Sequence, residues 1–351
     1  MRRCLQLAAL AQGNVAPNPL VGAVLVYNDK IIGEGYHQKF GEAHAEANCI
    51  NSVKPEHQHL LSKAALYVSL EPCAHFGKTP PCADLIIEKK IPKVIIGCRD
   101  PFYEVNGKGI EKLQAAGVDV IAGVLENECK ELNKRFFTYH TLHRPYIILK
   151  WAQSADGKMA NANFTRLLIS NEYTNRIVHK WRSKEAAILV GTNTALYDDP
   201  ELTTRLWPGS SPVRLVVDMD LRLPASLKIF NTDSPTIIFN TKEHSGESEW
   251  KKFSAFVEGE GLLFYQITST ASIVHQIVNA LYQVKIQSVL VEGCAQLLQS
   301  FIDEEMWDEA RVIANEQMIV GEGLPAPALK KHQIGSNKVL LNDIVRLFYK
   351  L

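Results

Sequence analysis

Short apolar runs of strand length recur along this chain, each closed by turn residues and followed by a longer mixed stretch. In the first part of the chain they are Leu20–Tyr27, Ile31–Tyr36, Ala64–Leu70, Lys93–Cys98 and Val118–Val124. Pro17-Asn18-Pro19 turns the chain into the first run, and Asn28-Asp29-Lys30 links the first two as a hairpin. The stretches between predict helices over His44–Val53, Cys82–Lys90, Gly107–Ala116 and Glu126–Leu142, with Gly117 as a C-cap. Strands alternating with helices define an α/β sheet covered on both faces. After His143-Arg144-Pro145 a fresh series begins, with strands over Tyr146–Ala152, Ala186–Gly191, Val213–Asp218, Thr236–Asn240 and Ser288–Glu292. Thr241 to Gly261 is polar and reads as surface. The expected division is therefore into domains 1–143 and 144–351, both α/β, with no internal repeat.

Composition narrows the class. At 351 residues the chain is long for one domain. Its 46% apolar and 22% charged residues are those of a globular enzyme. With 38 basic against 38 acidic residues the net charge is zero, so no nucleic-acid partner is expected and any phosphate contact falls to a few placed Arg or Lys. Seven scattered cysteines, an odd number, point to a reducing compartment rather than a disulfide framework. No apolar run reaches the length of a membrane span. The start, Met1–Leu10, is broken by Gln6 and reads as an amphipathic helix, so a cytoplasmic location is expected.

The chemistry concentrates at His44-Ala45-Glu46, answered by Pro72-Cys73 and Pro81-Cys82. One imidazole and two thiols suit Zn²⁺ with its fourth position open. A structural zinc clip normally closes with a fourth protein ligand, and none has an obvious place here, although His75 is near in sequence. Glu46, two residues from His44, is placed to move protons without ligating. His-x-Glu followed by Pro-Cys and Cys is the signature of zinc deaminases that act on nucleobases, which usually separate the cysteines by two residues; here eight intervene. Pro80-Pro81 opens the helix that starts at Cys82, and a thiolate is stabilised at a helix N-terminus.

Further motifs carry a family resemblance. Pro17-Asn18-Pro19-Leu20-Val21-Gly22, Gly35-Tyr36-His37, Gly41–Glu46 and Glu71–Cys82 resemble the deaminase half of the bifunctional riboflavin-biosynthesis deaminase/reductases, where the eight-residue gap is the rule. Leu149-Lys150, Ser154–Lys158, Gly191–Thr194 and Asp198–Arg205 are similar to the reductase half. The resemblance implies a cytidine-deaminase-like three-layer α/β/α domain followed by a dihydrofolate-reductase-like α/β domain. It implies zinc-dependent deamination of a diaminopyrimidinone bearing a phosphoribosylamino group, then NADPH-dependent reduction of the ribosyl group to ribityl. A homo-oligomer acting on small phosphorylated pyrimidines is expected.

Residue by residue, the resemblance implies His44, Cys73 and Cys82 as ligands and Glu46 as the acid-base group. Asn18, His37, His75 and Lys78 would contact the deaminase substrate. Lys150, Arg166, Arg182, Leu202, Arg205 and Glu292 would contact the reductase substrate, the arginines suiting its phosphate. Ala152, Leu168, Thr194 and Asp198, with the turn Gly293-Cys294-Ala295-Gln296, would hold the cofactor. No Gly-x-Gly-x-x-Gly follows a strand, which argues against a Rossmann-type site. Two departures from the family pattern stand out. The stretch Asn163–Ser170 lacks the usual Gly-Glu-Ser and Trp, and Cys294 takes the place of a usual Gly. Glu71 reads as structural. The competing readings are a nucleotide or tRNA zinc deaminase and a deaminase whose reductase half no longer works.

Overall fold

The computed structural model describes residues 1–76, 80–163, 167–231, 234–243 and 261–351. The chain forms two compact units, Met1–His143 and Arg144–Leu351.

The first unit runs α1 (Arg2–Ala9), β1 (Gly22–Tyr27), β2 (Lys30–Tyr36), α2 (Ala45–Asn51), a 3₁₀ stretch (Pro55–Lys63), β3 (Ala65–Leu70), α3 (Cys82–Glu88), β4 (Lys93–Cys98), α4 (Lys108–Ala115), β5 (Asp119–Ala122), α5 (Glu126–Leu132) and α6 (Lys134–Leu142). Its sheet has the order β2-β1-β3-β4-β5. β1 is antiparallel to both β2 and β3, and β3, β4 and β5 are parallel. Asn28 and Asp29 both take positive φ, 47° and 58°, as a two-residue hairpin turn requires. Leu25, Leu66, Val94 and Ile96 on the strands pack with Ile50 of α2, Ile86 of α3 and Leu113 of α4 in one apolar core.

One expected helix is two. The stretch from Glu126 to Leu142 breaks at Asn133, which has φ −103° and ψ 20°. The buried Asn133 amide accepts Leu20 N–H at 2.8 Å and donates to Leu20 O at 2.9 Å. An Asn side chain that pairs with distant backbone competes with helix continuation. The same pair fixes the start of β1 and the turn before it, which carries Asn18.

The second unit runs β6 (Tyr146–Ser154), β7 (Lys158–Asn161), α7 (Glu172–Arg182), β8 (Ala187–Gly191), α8 (Thr192–Asp198), β9 (Val213–Val217), a 3₁₀ turn (Lys228–Phe230), β10 (Thr236–Asn240), β11 (Leu262–Gln266), α9 (Ile273–Gln283), β12 (Ser288–Glu292), α10 (Ala295–Asp303), β13 (Glu309–Asn315), β14 (Gly323–Pro325), β15 (His332–Leu340) and β16 (Asp343–Lys350). The large sheet has the order β11-β10-β9-β8-β12-β6-β13-β16-β15. It is parallel from β11 to β13, and β16 and β15 close it antiparallel. Alternate residues of β6 feed opposite cores, Ile147 and Leu149 one face, Tyr146 and Ile148 the other. This is the pattern of a strand buried on both sides. The reading of 241–261 as polar surface falls almost wholly outside the described residues.

Candidate functional site

In the first unit, His44 is the N-cap of α2 with extended backbone, φ −72° and ψ 166°, and Cys82 is the first residue of α3. Cys73 follows β3 in the connecting segment. His44 Nδ1 lies 3.6 Å from Cys73 Sγ and 3.3 Å from Cys82 Sγ, and the three ligand atoms are mutually within 4.8 Å. Zinc bonds of about 2.1 Å to nitrogen and about 2.3 Å to sulfur at tetrahedral angles give N···S edges of about 3.6 Å. The donor set therefore fits zinc. Cys82 N–H points at Cys73 Sγ at 3.3 Å, a backbone donor that favours thiolate. The neighbouring Cys82 thiol, and then His44, hold Cys73 down to about 4, while Cys82 itself is raised by Cys73 and by burial.

Because His44 caps the helix and Glu46 lies in its first turn, both face this cluster although they are only two residues apart. Glu46 is 3% exposed, and its carboxyl lies beside the Cys82 thiol. Burial first, then Cys73, push it up to about 7.

His37 and Asn18 lie beside His44. The His37 and His44 rings meet edge-on at 5.4 Å. His37 Nδ1 lies 3.1 Å from Ala43 O, so this nitrogen carries the proton and donates. Nε2 is then left to accept the Asn18 amide N–H at 3.0 Å. His75 has a buried Nδ1 with no hydrogen-bond partner among the described residues and packs edge-on to Phe102 at 6.2 Å. Lys78 lies outside the described residues.

Sequence reasoning had no view of how the cysteine segment is anchored. Glu71 is 3% exposed, and its two carboxylate oxygens accept four backbone N–H groups: Asp100 at 3.2 Å, Gly107 at 3.0 Å, Gly109 at 3.0 Å and Ile110 at 3.2 Å. A Cβ on Gly109 would fall 1.9 Å from Pro72 O, so only glycine permits this approach. The structural reading of Glu71 agrees with this arrangement.

In the second unit the expected residues gather at the C-terminal ends of parallel strands, the usual ligand position in such sheets. Glu292 ends β12 and faces Lys150 of β6 in register. Arg182 of α7 grips the Glu292 carboxylate with Nε at 3.1 Å and Nη2 at 2.9 Å, and Lys150 Nζ stands 3.5 Å away. Burial opposes ionisation of Glu292, but Arg182 and Lys150 outweigh it and hold the carboxyl down at about 2. The Arg182 fork is engaged by Glu292, and its Nη1 contacts Thr203 O at 3.4 Å. Arg205 is half-exposed and bonds Glu201 at 2.6 Å and Thr203 Oγ1 at 2.9 Å. Leu202 is 2% exposed with φ 57°, its side chain in the core, so it faces the site with backbone alone.

Thr194 Oγ1 accepts Cys294 N–H at 2.9 Å, joining α8 to the turn before α10. Gly293 has φ 95°, and a Cβ there would lie 2.3 Å from Thr194 Oγ1. The demand for glycine thus comes from Thr194, while Cys294 has an ordinary φ of −46°. Cys294 caps α10 without a side-chain bond, which leaves the N–H groups at Ala295 and Gln296 for an anion. This cradle fits the phosphates of a dinucleotide cofactor. Ala152 of β6 is half-buried, Asp198 ends α8, and Leu168 is 75% exposed. Arg166 lies outside the described residues. His179, buried on α7 among these charges, was not foreseen.

A buried carboxyl beside a His-Cys-Cys set in a mixed five-stranded sheet defines the first unit as a zinc deaminase, here joined in one chain to a unit where Lys150 and Arg182 surround Glu292. Residues 1–98 match the cytidine and deoxycytidylate deaminase zinc-binding region, and residues 145–338 match the RibD C-terminal domain. The chain belongs to the RibD family of bifunctional riboflavin-biosynthesis deaminase/reductases, whose cofactors are zinc and NADPH. It is 40% identical to the riboflavin biosynthesis protein RibD of Aquifex aeolicus over 92% of this chain and 88% of that one. It is 36% identical to RibD of Actinobacillus pleuropneumoniae over 93% and 85%. The crystal structure of a diaminohydroxyphosphoribosylaminopyrimidine deaminase/5-amino-6-(5-phosphoribosylamino)uracil reductase from Thermotoga maritima superposes with TM-score 0.88 and 35% identity, covering 100% of this chain and 97% of that one. Among the described residues, no helix is long and apolar enough to cross a membrane.

Proposed function

We propose that residues 1–143 deaminate 2,5-diamino-6-(5-phosphoribosylamino)pyrimidin-4(3H)-one by hydrolysis. Residues 144–351 would then reduce the ribosyl group of 5-amino-6-(5-phosphoribosylamino)uracil to ribityl with NADPH. The observation that carries the first half is the closeness of His44, Cys73 and Cys82 beside a buried Glu46. Zinc, when bound by these ligands, supplies a Lewis acid and a water of lowered pKa. Glu46 takes a proton from the attacking water and returns it to the departing amine, which leaves as ammonia. Asn18, held by His37, offers Oδ1 to an N–H of the pyrimidinone ring. His75 would contact the same substrate.

In the second half, NADPH supplies hydride, and the protein supplies position and charge. Gly293 to Gln296 and Thr194 hold the cofactor phosphates. Lys150 and Arg182 around Glu292 leave one excess positive charge in the pocket, which favours a phosphorylated substrate. Glu292 fixes the two cations, and Arg205 reaches the substrate phosphate from the exposed arm. The zero net charge supports a small-molecule substrate over nucleic acid, and we place the enzyme in the cytoplasm as a homo-oligomer. The test supplies the diaminopyrimidinone phosphate with and without NADPH and identifies products by mass. Exchange of an amino group for oxygen without NADPH, and a further gain of two hydrogens with it, is expected. Deamination with no reduction would leave only the first half standing.

A further inference from the structure

The residue that holds the Arg205 arm is not among those the motifs point to. After α8 the chain runs from Asp199 to Ser211 without regular structure, so something outside it must define the position of Thr203 and Arg205. Two residues of α7, three apart and so on one face of the helix, supply the grip. Arg182 Nη1 meets Thr203 O at 3.4 Å, and Arg205 N–H donates to His179 Nδ1 at 3.0 Å. His179 is 3% exposed. Leu202, buried with positive φ, anchors the arm from its other side.

We infer that His179 is a positioning residue of the reductase: its Nδ1 lone pair captures the Arg205 backbone and thereby sets the guanidinium of Arg205 against the substrate. The role requires a neutral imidazole with its proton on Nε2, because only an unprotonated Nδ1 accepts. The surroundings enforce this. Burial first, and then the nearby Arg182 and Arg205 cations, hold His179 down to about 4. Arg182 and His179 therefore divide the work on one helix face: Arg182 orders Glu292 and the Thr203 carbonyl, and His179 orders Arg205. Loss of the acceptor would leave the arm attached at Leu202 but loose at the end that bears the charge. The inference rests on the reading of Arg205 as a substrate contact, and its consequence for binding depends on that reading; the consequence for the arm does not.

The test uses the full chain and two variants. In the imidazole, Nδ1 is two bonds from Cβ, the place of the amide oxygen in asparagine. His179→Asn keeps an acceptor where Nδ1 stood, and His179→Leu removes it at similar volume. His179→Leu should raise the KM for the ribosyl phosphate substrate about tenfold, the scale of one lost hydrogen bond, with kcat and the NADPH KM changed much less. His179→Asn should recover most of that loss. The kcat and NADPH KM of the same chains serve as the fold control for the unit that carries His179, and deamination should not change. Hydrogen exchange of a peptide covering residues 203–206 is the second readout: faster in His179→Leu, near wild type in His179→Asn. Equal exchange in all three proteins overturns the inference, whatever the activities show. An unchanged substrate KM with faster exchange overturns the binding consequence alone. A wild-type chain that deaminates but reduces nothing counts against the reductase reading, and the exchange result still decides whether His179 holds the arm.

Discussion

The amide of Asn18 is held in one orientation by His37, whose Nε2 accepts its N–H at 3.0 Å while Nδ1 donates to Ala43 O. The pair converts a turn residue into a directed acceptor. His37→Leu leaves Asn18 free to rotate and should lower deaminase kcat/KM about tenfold, the worth of one mispaired buried group. Asn18→Ala should cost at least as much, and the double variant little more than Asn18→Ala alone, because His37 acts through Asn18. Additive losses in steady-state deamination kinetics would mean that His37 touches substrate directly.

Glu46 and the ligands separate metal binding from proton transfer. Glu46→Gln should retain zinc and lose deamination by about a hundredfold to ten-thousandfold. Cys82→Ser should lose both zinc and activity. Metal analysis of the purified variants beside the rate assay checks both outcomes.

Chelation should act on one half of the protein. Removing zinc withdraws the tie between α2, α3 and the Cys73 segment, so deamination is lost and the first unit melts at lower temperature. NADPH-dependent reduction of pre-formed 5-amino-6-(5-phosphoribosylamino)uracil should persist. Calorimetry and the two assays on the same chelated sample test this.

Acid should weaken the second unit through Glu292. Its folded carboxyl sits at about 2, below the ordinary 4.5, so its contribution to stability is complete above about pH 4.5 and is lost as the pH falls toward 2. Glu292→Gln should flatten this part of the urea midpoint against pH. It should also destabilise the unit at neutral pH by about 3–5 kcal/mol, because Arg182 and Lys150 are left without their counter-charge.

Gly293→Ala should be costly although alanine is small. The new Cβ would meet Thr194 Oγ1 at 2.3 Å, and φ 95° strains any side chain. About 1–3 kcal/mol of stability should be lost, and the NADPH Kd, read from cofactor fluorescence, should rise more than the substrate KM. Cys294→Gly should leave both constants near wild type, since Cys294 makes its contact through its backbone.

What the sequence revealed, and what it hid, follows from where the information lies. His44, Glu46, Cys73 and Cys82 were legible because ligand chemistry demands those residue types close to helix starts and strand ends. The strands of the first unit were legible because each is a bounded apolar run. β13 was not assigned, since its run is interrupted by Glu309 and Arg311, which are buried and paired to each other at 2.6 Å. β15 was missed because its side chains are largely exposed and carry no alternation. The break at Asn133, the grip of Arg182 on Glu292 and the hold of His179 on Arg205 depend on partners 113, 110 and 26 residues away, which no local pattern records.

Glu71 sets a rule for how this enzyme can change. Surface connections ordinarily accept insertions and deletions with little effect. The connection from Asp100 to Ile110 is different, because one carboxylate next to Pro72-Cys73 counts its backbone N–H groups at four places. Adding or removing a single residue there would shift the register of those donors and pull on the segment that carries a zinc ligand. The length of this loop is therefore tied to the position of Cys73, and the connection can exchange side chains, at the exposed Tyr103 for example, far more readily than it can be resized.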